Sequence, residues 1–285
     1  MINTIVTPYA FANNIRWRHS IYQGEIYKLP ASQVSTELVN AIQQLLLKTF
    51  AINELNFNNL VNIHNVLSEA DFFAAMKLIR RELFEQPKYT ELLSKYLLNL
   101  GFKQGEVAFE PLRLRAIRHN GHLTERAKAV YYAHRDTWYG HAQSVIVGWI
   151  PLHNQAIHQT FEIYPDWFNR PVSNNSEVFD YNQWRSGNND KIIGWQKKDT
   201  GLTAVYPETT AEVPLGRRIK FSCTQAETLL FSGAHYHQTL KQTRNLSRFS
   251  VDYRLIHLAD EQQQLGAPNV DNRSRGSALQ DYIRL

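Results

Sequence analysis

The stretch Arg248-Phe249-Ser250-Val251-Asp252-Tyr253-Arg254-Leu255-Ile256 alternates polar and apolar side chains. Successive residues of a β-strand point to opposite faces. Arg248, Ser250, Asp252 and Arg254 therefore share one face, and Phe249, Val251, Tyr253 and Leu255 share the other. One face of such a strand packs in a core and the other carries charge. Shorter runs rich in β-formers precede it at 112–117, 130–133, 144–150, 159–164, 219–222 and 228–231, with turn residues between them. This many short strands predicts a mainly β domain, a sandwich or barrel and most economically a jelly roll.

Upstream the texture is helical. Leu38, Ala41, Ile42, Leu45 and Leu46 recur at helical spacing behind Ser32, which predicts a helix over 32–50. Ser68-Glu69-Ala70-Asp71 reads as an N-terminal cap for a helix over 68–85, with Phe72, Met76, Ile79 and Leu83 on one face. A third helix is predicted over 89–100, ending before Gly101, while the first thirty residues read as extended and mixed. The expected organisation is one domain over 1–285: a mainly helical support over 1–105, a β core over 106–258 with flanking helices, and a C-terminal tail over 259–285. The segment 165–216 has weak periodicity and many Asn, Gly and Pro residues. Loops of this length are uncommon unless functional, and a lid is the natural reading.

Composition bounds the function. A chain of 285 residues with 43% hydrophobic and 20% charged residues is globular in character. Its 12% aromatic content, with six Trp, fits either an aromatic-lined pocket or a large β core. The net charge of +5 is mild, and Arg80-Arg81, Lys197-Lys198 and Arg217-Arg218 are isolated pairs that read as solvated surface, so no nucleic-acid partner is expected. Cys223 is the only cysteine, which rules out an internal disulfide or a thiolate metal cluster and fits a reducing, cytoplasmic setting. The N-terminal residues lack a basic start and a sustained apolar run, so no signal peptide is expected. No apolar run approaches the ~18 residues that would span a bilayer, so no membrane partner is expected either.

The chemistry concentrates in His134-Arg135-Asp136 and in a distal histidine about a hundred residues later. On a strand, His134 and Asp136 would point to the same face and reach one ion together. Two imidazoles and one carboxylate can hold Fe(II) on one side and leave the other open. His235 and His237 compete for the distal place. His141, His153 and His158 lie outside any paired segment, and His119, His122 and His257 read as ordinary surface or loop histidines. Arg248 follows His237 by eleven residues, and its planar fork, beside the Ser250 hydroxyl, suits a carboxylate. Thr239, two residues beyond His237, can add a hydroxyl to the same pocket.

In His134-Arg135-Asp136, in His237, in Arg248 at its spacing, and in Leu229-Leu230-Phe231-Ser232 ahead of the histidine, residues 109–256 resemble the iron(II)/2-oxoglutarate-dependent dioxygenases. Within that family they are most similar to the phytanoyl-CoA dioxygenase-like branch. The resemblance covers roughly half of the chain. It implies a double-stranded β-helix of the cupin-like kind, with Fe(II) on His134, Asp136 and His237. It also implies that 2-oxoglutarate is held at its distal carboxylate by Arg248, helped by Thr239 and Ser250, with O2 as the second co-substrate. The match is loose over Gln238–Arg244, where relatives often carry an Asn, and no motif assigns the group that binds the C1 carboxylate. Related halogenases replace the carboxylate ligand with a small residue, so Asp136 implies hydroxylation over halogenation, while desaturation, epimerisation and ring closure share the same first step. The implied role is oxidation of a small molecule in specialised-metabolite tailoring. The other readings are a cupin-type metal enzyme without 2-oxoglutarate and a non-catalytic ligand-binding barrel.

For the substrate, the segment between Asn154 and Asp190 carries five acids against two bases, with Phe161, Tyr164, Trp167, Phe168, Phe179, Tyr181 and Trp184. Aromatic faces beside carboxylates suit a cationic, partly flat substrate such as a guanidine or amine alkaloid. The plainer reading is a loop whose aromatics cover the barrel and whose acids are solvated. Trp138, Glu162, Asp166, Trp167 and Arg254 are the expected substrate contacts on the first reading.

Overall fold

The computed structural model describes residues 4–6, 15–51, 60–186 and 206–285. Before residue 32 the chain forms β1 (Thr4–Val6), the helix α1 (Ile15–Tyr22) and β2 (Ile26–Leu29). The helix departs from the expected extended start. Trp17, Ile21 and Tyr22 bury one of its faces, and Arg16, Arg18 and His19 between them mask the periodicity.

Three longer helices follow as the sequence predicts. Ser32 caps α2 (Gln33–Thr49) in a reciprocal box with Ser35, and Leu38, Val39, Ile42 and Leu46 are buried. Ser68 caps α3 (Glu69–Glu85), whose first turn carries Glu69 and Asp71 at the positive end of the helix dipole. Pro87 opens α4 (Pro87–Asn99), and Gly101 ends it with φ 93°, a left-handed conformation that glycine adopts without a Cβ penalty.

The β region consists of β3 (Val107–Phe109), β4 (Arg113–Ile117), β5 (Ile146–Pro151), β6 (Phe161–Ile163), the short helix α5 (Tyr181–Ser186), β7 (Ile219–Lys220), β8 (Thr228–Ser232), β9 (His237–Thr239), β10 (Arg248–His257), the helix α6 (Leu258–Gln262) and β11 (Ile283–Arg284). One eight-stranded sheet runs β1-β2-β8-β5-β10-β3-β11, with β4 also on β10; its pairs are antiparallel apart from β1 with β2. A second sheet runs β7-β6-β9. β3 and β4 pair in succession with β10 and are separated at 110–112, where Pro111 has no amide hydrogen to donate.

The long strand behaves as its alternation predicts. Phe249, Val251, Tyr253 and Leu255 join Leu38, Phe72, Ile79 and Leu93 in one core, so the helices cover that face of the large sheet. At its centre Gly148 of β5 faces the Tyr253 ring; a Cβ there would lie 2.1 Å from the ring. The opposite face packs on the small sheet through Val147, Trp149, Leu229 and Phe231 against Phe161, Ile163 and Phe221. The cavity opens between the two sheets on this side.

Two expectations need correction. Residues 130–133 do not form a strand: a 3-10 helix occupies Glu125–Tyr131, and a single bridge pairs His134 with His237. The segment 259–285 is no tail. Asp260 forms a buried ion pair with Arg18, and β11 adds to the sheet at Phe109. In 165–216, the described residues form 3-10 turns and α5, with Phe168, Val172, Phe179 and Tyr181 buried; 187–205 lie outside the described residues. No described helix is long and apolar enough to cross a membrane.

Candidate metal centre

His134 and His237 face each other across paired backbone hydrogen bonds, His134 N to His237 O at 3.0 Å and His237 N to His134 O at 2.9 Å. Their rings lie 4.4 Å apart. Asp136 opens a 3-10 turn (Asp136–Tyr139) just beyond the bridge rather than continuing a strand, and the turn swings its carboxylate between the two rings. Asp136 Oδ1 is 3.5 Å from His134 Nε2 and 3.9 Å from His237 Nε2. One ligand atom from each of the three lies within 4.8 Å of the others, so the three converge on one space that an ion could fill. Gly233 passes under the turn, where a Cβ would come within 2.3 Å of Val145.

The tautomers suit a metal. His134 Nδ1 lies 2.9 Å from Tyr132 O and His237 Nδ1 lies 2.9 Å from His235 O. A carbonyl only accepts, so each Nδ1 carries the proton and each Nε2 keeps a lone pair for the ion. Burial, with repulsion from His134, lowers the His237 imidazole to about 3, so the neutral, ligating form prevails at neutral pH. Burial alone would raise the Asp136 carboxyl, but Arg254 and the two histidines hold it well below the usual carboxylate range.

Behind the triad lies a chain of ion pairs. Arg254 Nε donates to Asp136 Oδ2 at 2.9 Å, leaving Oδ1 for the ion, and its Nη1 donates to Glu110 at 2.9 Å. Arg113 completes the Glu110 carboxylate, and Arg115 grips Asp252 in a bidentate pair. Arg254 was expected to touch substrate; in the structure it lines the cavity but its fork is occupied by carboxylates. Arg254→Met would leave Asp136 and Glu110 buried without this cation, so a stability loss of about 3–5 kcal/mol is expected. Metal affinity should fall roughly 10–100-fold. Denaturant titration and metal titration check the two effects, and unchanged metal affinity would show that Arg254 does not position Asp136.

His235, the competing ligand, is placed elsewhere. It is fully buried against Phe168, its two ring nitrogens 3.0 Å from Ser232 O and Gly24 O. Burial lowers its pKa to about 4, so the neutral ring donates to one of these carbonyls at a time. His235→Ala is expected to leave metal affinity within a few-fold of the parent while costing about 1–3 kcal/mol of stability, read by denaturation. Loss of metal without loss of stability would reverse the assignment.

Arg248 enters the cavity from β10. Its Nη1 donates to Thr160 O at 3.0 Å and its guanidinium lies 5.8 Å from the Trp149 ring centroid. Arg248 Nε and Ser250 Oγ are buried with no protein partner. Thr239 lines the same cavity, two residues beyond His237 on β9. Arg248 Nε without a protein partner and the Thr239 hydroxyl, in the cavity of a His-Asp-His triad, fit a carboxylate-bearing ligand of that metal; Ser250 is buried outside the cavity lining.

Four expected substrate contacts do not reach the cavity. Trp138 is fully buried and donates its indole N–H to Asp271 at 2.8 Å. Glu162 pairs with Lys220 at 3.4 Å and Arg218 at 4.0 Å and accepts from Tyr164. Asp166 pairs with Arg217 at 3.1 Å, and Trp167 donates to Pro214 O. The acids that were to draw a cation are thus neutralised outside the site. Sequence reasoning also missed Arg135, which turns away from the cavity and ties Ala234, Trp167, Arg170 and Asp271 together, and the cavity residues Arg80, Arg113, Arg115, Tyr139 and Tyr206.

No protein-family model and no curated protein sequence matches the chain. Among solved structures, EvdO2 from Micromonospora carbonacea var. aurantiaca, complexed with 2-oxoglutarate, aligns over 88% of this chain and 94% of its own, at 12% identity and a TM-score of 0.47. The epimerase SnoN, in complex with Fe3+, alpha ketoglutarate and nogalamycin RO, aligns over 85% of this chain and 83% of its own, at 12% identity and a TM-score of 0.42. The carbocyclase SnoK from nogalamycin biosynthesis aligns over 92% of this chain and 96% of its own, at 10% identity and a TM-score of 0.41. Overall likeness at this level carries no argument, and the chemistry rests on the residues of this chain.

Proposed function

We propose that the protein is an Fe(II)/2-oxoglutarate-dependent oxygenase on a double-stranded β-helix, acting on a small molecule. The observation that carries the reading is the meeting of four groups in one cavity. They are two Nε2 lone pairs and Asp136 Oδ1 within 4.8 Å, and an Arg248 edge with no protein partner. Bound on His134, Asp136 and His237, Fe(II) with 2-oxoglutarate and O2 would supply oxidation of an unactivated C–H bond. The protein's part is then geometric and electrostatic. His134, Asp136 and His237 would hold the ion and supply three of its donors. Arg248, with Thr239, holds the far carboxylate of 2-oxoglutarate through its fork. Trp149, Phe161 and Phe231 form an apolar wall that keeps water from the metal side. Arg254 keeps the Asp136 carboxylate ionised and turned toward the ion.

The carboxylate of Asp136 favours hydroxylation over halogenation as the outcome, and desaturation, epimerisation and ring closure would share its first step. We read the role as tailoring of a specialised metabolite, and the spacing from His237 to Arg248 as that of the phytanoyl-CoA dioxygenase-like branch. The described parts of 165–216 bring Phe179, Tyr181, Trp184 and Tyr206 to the cavity, which supports a substrate-covering role for that segment. The test is release of succinate and CO2 from 2-oxoglutarate by the Fe(II)-loaded protein in air. Consumption should require iron and stop in His237→Ala. A protein that binds iron but leaves 2-oxoglutarate untouched, with and without candidate substrates, would refute the assignment.

A further inference from the structure

The cavity around the triad holds more positive charge than its carboxylates neutralise. Five arginines line it, Arg80, Arg113, Arg115, Arg248 and Arg254. Three of them are tied into one chain of acids: Arg113 and Arg254 on Glu110, Arg254 also on Asp136, and Arg115 on Asp252. Among the described residues no carboxylate forms an ion pair with Arg248 or Arg80. The proposed function gives Arg248 a carboxylate. It gives Arg80 nothing.

Arg80 reaches the cavity from α3. Its neighbour Ile79 is fully buried and holds this turn of the helix against the sheet. Among the described residues β4 pairs with β10 alone, and Arg80 Nε donates to Leu114 O of β4 at 3.3 Å. That bond uses one of the five donors of a guanidinium and fixes the plane of the group. The adjacent Arg81 is half exposed and lies 4.0 Å from Glu85, as a surface arginine should. The Arg80-Arg81 pair, read from sequence as solvated, is therefore split between cavity and solvent. A bracing role against Leu114 explains the single hydrogen bond. It does not explain why the group faces a cavity beside another arginine. Burial, with repulsion from Arg115, lowers Arg80 to about 10, so the position is costly for a cation unless an anion joins it.

The far wall is aromatic. Tyr139 packs edge-on against Phe179 with centroids 5.5 Å apart, Tyr206 lies 6.5 Å from Tyr139, and Trp184 lies 6.5 Å from Phe179. All four line the same cavity as Arg80 and the triad. We infer that the substrate is an anion with a flat apolar body, its carboxylate or phosphate held by Arg80 and its body laid against Tyr139, Phe179, Trp184 and Tyr206. The inference rests on the oxygenase reading, which makes this cavity the substrate pocket. It replaces the cationic substrate expected from the loop acids, since Glu162 and Asp166 are paired outside the cavity.

The test uses the full-length protein loaded with Co(II) and saturating 2-oxoglutarate, and equilibrium dialysis of four probes of one shape: 2-naphthylacetate, 2-naphthyl phosphate, 2-naphthylacetamide and 2-naphthylmethylamine. At least one anion should bind about tenfold or more tightly than the amide and the amine. Comparison of the two anions tells a carboxylate site from a phosphate site. Arg80→Gln should erase the preference, and Arg80→Lys should keep most of it; retention of the Co(II) absorption spectrum shows that both variants are folded. Equal binding of all four probes, a preference for the amine, no binding of either anion, or an anion preference that survives Arg80→Gln would each overturn the proposal. So would Arg80→Gln raising the Kd of 2-oxoglutarate while leaving the probes unaffected, because Arg80 would then belong to the co-substrate. Protein that takes up no 2-oxoglutarate yet binds the anions through Arg80 would sink the oxygenase reading and leave the anion site standing.

Discussion

Alanine in place of His134, Asp136 or His237 is expected to strip the protein of its iron and to lower 2-oxoglutarate turnover on the order of a hundredfold or more. Each of the three contributes one donor atom to a site in which all lie within 4.8 Å, so the loss of one removes a third of the protein's donors and weakens its hold on a labile divalent ion. The histidine variants are the cleaner test. Asp136 also accepts from Arg254, so Asp136→Ala combines loss of a ligand with loss of a buried counter-charge. Asp136→Asn keeps the shape and should lose metal with less loss of stability. Metal content of the purified, reconstituted variants and succinate release read the two effects together. Full iron occupancy in His237→Ala would mean that the ion sits elsewhere.

The second large effect is expected at Arg248. Arg248→Lys keeps a charge but loses the fork, and should raise the KM for 2-oxoglutarate by about ten- to a hundredfold, since a charge-assisted bidentate pair becomes a point contact. Iron affinity should stay within a few-fold, because Arg248 makes its protein contacts with Thr160 O and the Trp149 face and none with the triad. Arg248→Met should do the same more severely. An unchanged KM would move the carboxylate to another cation of the cavity, with Arg80 the next candidate.

The legible parts of this chain are those whose cause is local. The alternation of 248–256 gave the central strand and both of its faces, because a period of two is a property of the strand itself. Ser32 and Ser68 marked the helix starts because a cap is a bond between residues three apart. The triad was readable from His134-Arg135-Asp136 and His237 as residue types, although the strand expected around the first pair is a bridge followed by a 3-10 turn. What failed depends on partners distant in sequence. Glu162 and Asp166 looked like free acids because their bases, Lys220 and Arg217, lie more than fifty residues later. Residues 259–285 looked like a tail because their contacts, Arg18 and Phe109, belong to the first half of the chain. Arg80 was recoverable in part. It stands four residues after Met76 and three before Leu83, both on the buried face of α3, and a charged residue in that register differs from a solvated pair.

The central claim is that one cavity binds a divalent iron and 2-oxoglutarate together. Anaerobic titration of the Fe(II)-loaded protein with 2-oxoglutarate, followed by visible absorption, tests it without any need to know the substrate. A metal-to-ligand charge-transfer band should grow to saturation at one equivalent. It should be absent in His237→Ala and should require much higher 2-oxoglutarate in Arg248→Lys. Iron binding with no such band at any 2-oxoglutarate concentration would contradict the account.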